Sequence, residues 1–314
     1  MSYFEASEGA LETGAAVVAR KRSISRFAAL TLAALSRRLL GTSSMVALGL
    51  VLATSTPSRA TDWTGGTSTD WFTATNWSAG VPTSAVDANI DTVAPNATVV
   101  GAAGAQARSV FVGISGTGKL TIRNGGTMSN AGFGYFGYGF GATGTVTVDG
   151  AGSALTNSSD LYVGYFGAGT LTIRNGGTVS TANIGYLGFV AGSTGTVTVD
   201  GAGSAWTSSS TLVVGYSGTG TLTIQNGGKA SNVGHAFLGN NAGSTGTLTV
   251  DGAGSSWTNS GVLVVGESGT GTLTIANGGA VSPASGMQIA RQAGSTGTLN
   301  IGAASARPRP RRAL

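Results

Sequence analysis

The sequence predicts an all-β chain wound as a parallel β-helix, and three observations carry that expectation. The stretch TVTVDGAGSAWTSSSTLVVGYSGTGTLTIQNGG, Thr196–Gly228, is written three times, with copies beginning at Thr145, Thr196 and Thr247, each 51 residues from the next. A fixed period of that size belongs to solenoids, propellers and arrays. A finer period runs inside it. The TVTV-type segments that open the copies alternate with TLTI-type segments opening at Thr170, Thr221 and Thr272, each about midway to the next TVTV. One coil is therefore half of the repeat. The third observation is alternation: in TLTI the Leu and Ile face one side and the two Thr the other, because strand side chains have period two. Coils stacked about 4.8 Å apart then build columns of like residues. One inward column is Leu120, Val146, Leu171, Val197, Leu222, Leu248, Leu273 and Leu299; a second is Ile122, Val148, Ile173, Val199, Ile224, Val250, Ile275 and Ile301. Both stay apolar throughout, which a propeller blade of four antiparallel strands would not require.

Within a coil, three short extended pieces are legible: Thr196–Val199, Ala205–Ser208 and Thr211–Val214, punctuated by DGAGS, by Ser209 and Ser210, and by GYSGTG. Gly-rich punctuation between β-branched runs means strand and turn, not helix. The turn after the first strand is Asn-Gly-Gly in one coil type (Asn124, Asn175, Asn226, Asn277) and Asp-Gly-Ala-Gly in the other (Asp149, Asp200, Asp251). Asn and Asp tolerate left-handed backbone and bond to nearby main chain, so these read as corners whose side chains stack in a ladder. Trp206 and Trp257, with Leu155 in the same place, alternate with Met128, Val179, Ala230 and Val281 in the other coil type. Large and small residues in one column read as the filling of a narrow core.

With 54 Gly, 9% charged residues and no Cys among 314 residues, the composition is that of neither a standard globular enzyme nor a disulfide framework. The formal charge of +5 is unevenly spread. Residues 1–60 carry seven basic and three acidic residues, residues 61–302 six and nine, and the tail from Ala303 four Arg. The repeat body is mildly acidic, so it lacks the electrostatic footprint of nucleic-acid binding.

Residues 1–60 read as an export signal. Arg20, Lys21, Arg22, Arg26, Arg37 and Arg38 precede the apolar run Met45–Ala53, and Ser58-Arg59-Ala60 offers a small-x-small cleavage site after Ala60. Residues 61–107 form a Trp-rich segment with Trp63, Trp71, Trp77 and Pro82. A solenoid's first coil exposes a sheet edge and an open core, so a cap unlike the repeat is expected there. Exposed Trp rings stacking on sugar are the rival reading. Residues 108–302 are the β-helix repeats, and residues 303–314 a basic Pro/Arg tail.

The pattern W-x-G-x(4)-D-W-x(4)-N-W-x-x-G-x-P, at Trp63, Gly65, Asp70, Trp71, Asn76, Trp77, Gly80 and Pro82, is followed by repeats of T-[LV]-T-[IV]-x-N-G-G and T-[LV]-T-V-D-G-A-G-S-x-W. Together they resemble the passenger region of bacterial autotransporters carrying autotransporter-associated β-strand repeats, over residues 61–302. The resemblance implies a right-handed β-helix, Gram-negative export and display at the outer surface, often in adhesion. It implies partners such as a host-cell or matrix surface, glycans or like passengers, and it implies no catalytic residue. The family also leads to an outer-membrane barrel of alternating strands. ARPRPRRAL after the last repeat does not have that pattern, and a truncated or frame-shifted product without a barrel, released into the periplasm or outside the cell, is the expectation.

No catalytic, cofactor-binding or metal site is assigned, and no enzyme activity is expected. The Asp column recurs only every second coil, about 10 Å apart, too far for two carboxylates to share Ca²⁺. His235 stands alone, and Asp160, Lys229, Glu267 and Arg291 fall in different coils. Gly218-Thr219-Gly220 lacks the following helix of a nucleotide-binding turn. The outward Thr files, such as Thr196 with Thr198 and Thr221 with Thr223, resemble the face of β-helical ice-binding proteins, yet Thr is also a good exposed strand residue. The expected function is a secreted or surface-displayed stalk or adhesive passenger. A carbohydrate-binding or polysaccharide-processing solenoid is the alternative, and an ice-binding Thr array a remote one.

Overall fold

The computed structural model describes residues 60–302, which form a parallel β-solenoid of about 10 coils spaced about 25 residues apart. The expected export segment, apart from Ala60, and the tail over residues 303–314 lie outside the described residues. A typical coil contributes three strands, Thr194–Asp200, Ala205–Ser208 and Leu212–Val214. Like strands of successive coils pair in parallel, giving sheet 1 (nine strands, the long ones), sheet 2 (eight) and sheet 3 (ten, the short ones). The long strand begins two residues ahead of the expected Thr196. That extension passes a tight crossing: a Cβ on Gly195 would lie 2.0 Å from the Val163 carbonyl oxygen of the coil below, so only Gly fits there.

Both expected apolar columns are continuous in register. Leu171 pairs with Val146 and Val197, and Ile173 with Val148 and Val199. The same partners recur from Leu120 to Leu299 and from Ile122 to Ile301. These residues are fully buried as far as Leu273 in the first column and Val250 in the second. The first column continues one coil earlier into Thr98, a buried hydroxyl without a hydrogen-bond partner.

The double-coil period has a packing cause. In sheet 2, Trp206 pairs with Val179 and Ala230, and Trp257 with Ala230 and Val281. Sheet 3 alternates in phase: Leu161, Gly185, Leu212, Ala236 and Leu263 follow one another up the stack. A Cβ on Gly185 would meet the Trp206 ring at 2.8 Å and the Leu212 side chain at 3.1 Å. Each large coil thus sits between small ones, and a repeat of one coil alone could not keep the core at interior density.

The corners bind neighbouring coils together. Asn124, Asn175, Asn226 and Asn277 all take left-handed backbone, with φ between 50° and 58°. In the other coil type the strand ends on Asp and the next Gly turns the chain. Asp200 then reaches forward, accepting from Asn226 Nδ2 at 2.6 Å, while Ser204 Oγ reaches back, accepting from Gly176 N–H at 3.0 Å and donating to Asp200 O at 2.7 Å. The expected Asn/Asp ladder is therefore a set of Asp-to-Asn pairs, linked through the buried Ser of DGAGS. A second polar column, Asn130, Asn157, Thr181, Ser208, Asn232 and Asn259, lines the inside of the bend between sheets 2 and 3. Asn232 donates to Asn259 Oδ1 at 2.7 Å and to Gly234 O at 2.9 Å, and accepts from the Trp257 indole N–H at 3.1 Å. Each buried amide is thereby paired.

The N-terminal segment closes the first coil. Trp63, Trp71 and Trp77 are buried in edge-to-face contact, with centroids 5.0 and 4.7 Å apart. Asn76 is fully enclosed and satisfied on both ends: its Oδ1 accepts from Thr67 and Ser68 N–H, and its Nδ2 donates to Ser68 Oγ and Asp70 O. Asp62 and Trp63 lie at the edge of sheet 3 and Asp70 at the edge of sheet 1, opposite Val99. Regular stacking begins before residue 108, since Asp87–Ile90, Thr98–Val100 and Ala105–Ala107 already pair with the strands above them. Asp91 completes the cap. In later coils the turn after sheet 3 is held by carbonyls of the turn below; here the Asp91 carboxylate takes that place, accepting from Ile114 N (2.6 Å), Ser115 N (3.0 Å), Gly116 N (2.9 Å) and Ser115 Oγ (2.7 Å). Burial alone would raise its pKa, but these bonds outweigh it and hold the carboxyl below the usual 3.8.

Candidate functional site

The outer surface of sheet 3 carries the most distinctive side-chain array. The middle residue of each short strand points outward, giving Phe111, Tyr135, Tyr162 and Tyr186 in register. After each strand a Gly with positive φ, such as Gly164 at 76°, reverses the chain and brings the next residue back beside the strand. Tyr138, Tyr165, Phe189 and Tyr216 form this second column. Rings within a column stack nearly parallel: Tyr135 on Tyr162 at 5.0 Å and 6°, Tyr162 on Tyr186 at 5.1 Å and 7°, Phe189 on Tyr216 at 4.8 Å and 7°. Between columns they meet edge to face, as Tyr162 and Tyr165 do at 5.1 Å and 88°. Eight half-buried rings thus form a double ladder along the solenoid.

Stacking decides what this ladder can do. Each ring inside a column covers its neighbours' faces, so edges and hydroxyls remain for solvent or a partner. Flat C–H stacking of a sugar is blocked there, as it is at the buried cap Trp residues. The Tyr162 hydroxyl donates to Asp160 Oδ2 at 3.1 Å, and Asp160 Oδ1 accepts from Ile184 N–H at 3.1 Å. Burial raises the Tyr162 pKa well above its usual value, and the Asp160 charge adds to it. Burial pushes Tyr135 up to about 12. These phenols are neutral donors at ordinary pH.

Above Tyr216 the ladder stops and the same surface becomes a hollow of about 150 Å³, lined by His235, Phe237, Val262, Val264, Gln288 and Arg291. Residues from different coils are neighbours here, which reverses the significance of their sequence separation. Arg291 and Glu267, one coil apart, form an ion pair at 3.1 Å. His235 and Arg291 line one cavity. Asp160 lies three coils below His235 in the column at the start of sheet 3, and Lys229 lies on sheet 2, beside Thr207, Ser231 and Thr258. His235 also holds the fold together, since its Nδ1 accepts the Val262 N–H at 3.1 Å. Asp160 does the same for Ile184.

The Asp column serves its corners. Asp149 accepts from Asn175 Nδ2 at 2.7 Å and pairs with Arg174 at 2.8 Å, and these bonds, led by Asn175, hold its pKa below 3.8. Among the described residues no three His, Cys, Asp or Glu side chains are grouped as a metal site. On the outside of sheet 1 the Thr array is wider than the sequence suggested. Thr143, Thr194 and Thr219 add a third file to those through Thr145 and Thr147.

The aromatic ladder escaped the sequence reading although its signal was present, as aromatic residues in the variable G-Y-x-G and strand positions of successive coils. No family model matches the chain, and no curated protein or solved structure matches it either.

Proposed function

We propose that the chain is a secreted or surface-displayed β-helical passenger of autotransporter type, acting as a stalk whose outer faces make adhesive contacts. The observation that carries this reading is uninterrupted one-dimensional stacking. Each coil contacts only its neighbours, so length is gained by repetition, and the backbone ladders resist proteolysis without any reactive site. About ten coils at 4.8 Å extend roughly 45 Å. The Trp cap and Asp91 close one end against edge-to-edge association. Export rests on the basic and apolar pattern of residues 1–60, and outer-surface display on the family resemblance.

The test is expression of the full chain in a Gram-negative host, followed by fractionation, surface proteolysis and an adherence assay. Export with adherence above a vector control is expected. Retention in the cytoplasm, or export without any gain in adherence, would refute the reading. A carbohydrate-binding solenoid is the second reading, favoured by the polar-rimmed hollow above the ladder. Release of reducing ends from polysaccharides is not expected. The Thr array is accounted for by strand propensity, so freezing-point hysteresis no larger than the colligative value is expected; faceted ice growth with a larger gap would overturn that account.

A further inference from the structure

In the upper coils the outer face of sheet 3 abandons its ring pattern. Where lower coils carry Tyr135, Tyr162 and Tyr186, the upper ones carry Val213, Phe237, Val264 and Gln288. Where lower coils carry Tyr165, Phe189 and Tyr216, the upper ones carry Asn240, Glu267 and Arg291, each bonded to the Gly below it in the same way. In a chain that otherwise repeats itself so closely, a local departure that opens a cavity marks a place serving something other than stacking.

The lining of that cavity is specific in its chemistry. Its floor is apolar: Val264 is buried and Val262 and Phe237 are partly so. Its rim supplies donors. His235 accepts the Val262 N–H through Nδ1, which leaves Nε2–H as a donor. Arg291 is steadied by Glu267 through Nη1 alone, and Glu267 is occupied on its other oxygen by Gln292 Nε2 at 3.3 Å. The rest of the guanidinium fork and the Gln288 amide complete the donor set. A donor-rich rim with a guanidinium anchored at one end and free along its other edge suits a carboxylate, which Arg binds in bidentate fashion. An apolar floor of this size suits the C–H face of one small ring. The volume of about 150 Å³ is below that of drug-sized pockets, so one monomer unit fits and no more.

We propose that this hollow binds a single uronic acid unit, a pyranose carrying a carboxylate, as the end or a side unit of an acidic polysaccharide. Arg291 receives the carboxylate, His235 and Gln288 donate to ring hydroxyls, and Phe237 and Val262 meet the apolar face above the buried Val264. The proposal rests on the carbohydrate-binding reading and is independent of surface display.

Titration of the full chain with galacturonate, followed by calorimetry or nuclear magnetic resonance, tests it. Saturable binding with a Kd on the order of a millimolar is expected for so small a ligand. Galactose, without the charge, and glutarate, without the ring, are each expected to bind at least tenfold more weakly. Val264→Tyr restores a ring at the floor position and is expected to abolish binding. Arg291→Gln, on the exposed rim, is expected to weaken it at least tenfold with the melting temperature unchanged. The proposal is overturned if galacturonate does not saturate, if galactose matches it, if glutarate matches it (a site for acidic side chains instead), or if Arg291→Gln binds like the parent. Adherence lost with galacturonate binding intact counts against the display reading alone. Adherence kept with no galacturonate binding counts against this site alone.

Discussion

Replacing Trp206 by Ala tests the packing argument for the double-coil period. Trp206 is 2% exposed, between Val179 and Ala230 in its column and against Gly185 in the next sheet. Its neighbours up and down the stack are small because it is large, so Val179, Ala230 and Gly185 cannot fill the space it leaves. The coils above and below cannot close the gap, since three parallel ladders hold their spacing. The loss is therefore at the full size of a Trp-to-Ala truncation, about 3–5 kcal/mol. The indole N–H bond to Thr181 Oγ1 is long, 3.3 Å, and its removal adds little. For a body of this size each kcal/mol lowers Tm by roughly 2–4 °C, so a fall of about 6–20 °C is expected. Trp206→Leu should fall much less, because Leu155 holds the equivalent place one repeat earlier. Urea unfolding followed by circular dichroism gives the magnitude. Hydrogen exchange gives the location: in a one-dimensional stack, faster exchange should concentrate in the coils around residues 179–236 and spare the Trp63–Trp77 cap. A Trp206→Ala protein within about 1 kcal/mol of the parent (about 2–4 °C), or a Leu variant as unstable as the Ala variant, would refute the reasoning.

Three further outcomes follow from the same geometry. Gly185→Ala places a methyl group 2.8 Å from the Trp206 ring and should destabilise by about 1–3 kcal/mol; combined with Trp206→Leu, most of that loss should disappear, and strict additivity in a double-mutant cycle would show the two sites are not coupled. Asn226 sits at φ 54° and bonds Asp200, so Asn226→Ala should lose about 1–2 kcal/mol, whereas Asn226→Gly, free of the backbone strain, should lose clearly less; equal urea midpoints for the two would contradict the left-handed corner. Asp91 has a folded pKa below 3.8, so its stabilisation is present above that pH and fades as the pH falls through the lower folded value. Stability measured from pH 6 down to pH 2 should decline at the acid end, and Asp91→Asn should flatten that decline while lowering stability at pH 6. An unchanged acid limb in the variant would show that Asp91 is not the carboxylate responsible.

Most of the solenoid is legible in the sequence because its information is local and repeated. Alternation in TLTI assigns the inside of sheet 1 residue by residue, and Asn or Asp followed by Gly marks each corner. Trp206 and Trp257 betray the large and small coils by taking turns with Ala230 and Val281. What stayed hidden involves relations between coils that carry no repeat of their own. Ser204 looks like filler in DGAGS, yet it fastens its corner to the coil beneath. Asp91 is an isolated carboxylate in a non-repeating segment, and only the missing turn below Ile114–Gly116 reveals why it is there.

The candidate site shows the same division. Residue order alone determined that this chain winds into stacked coils, which side chains enter the core, and where Asn and Gly turn the backbone, because those choices depend on strand alternation and on the regular return of each motif. Only the folded stack decided that Tyr135, Tyr162 and Tyr186 form a ladder whose ring faces are covered, and that His235, Phe237 and Arg291, scattered along the chain, meet around one hollow. The reason is physical: winding converts a separation of one coil into about 5 Å, so residues with no local relation become nearest neighbours at a distance fixed by the backbone hydrogen bonds.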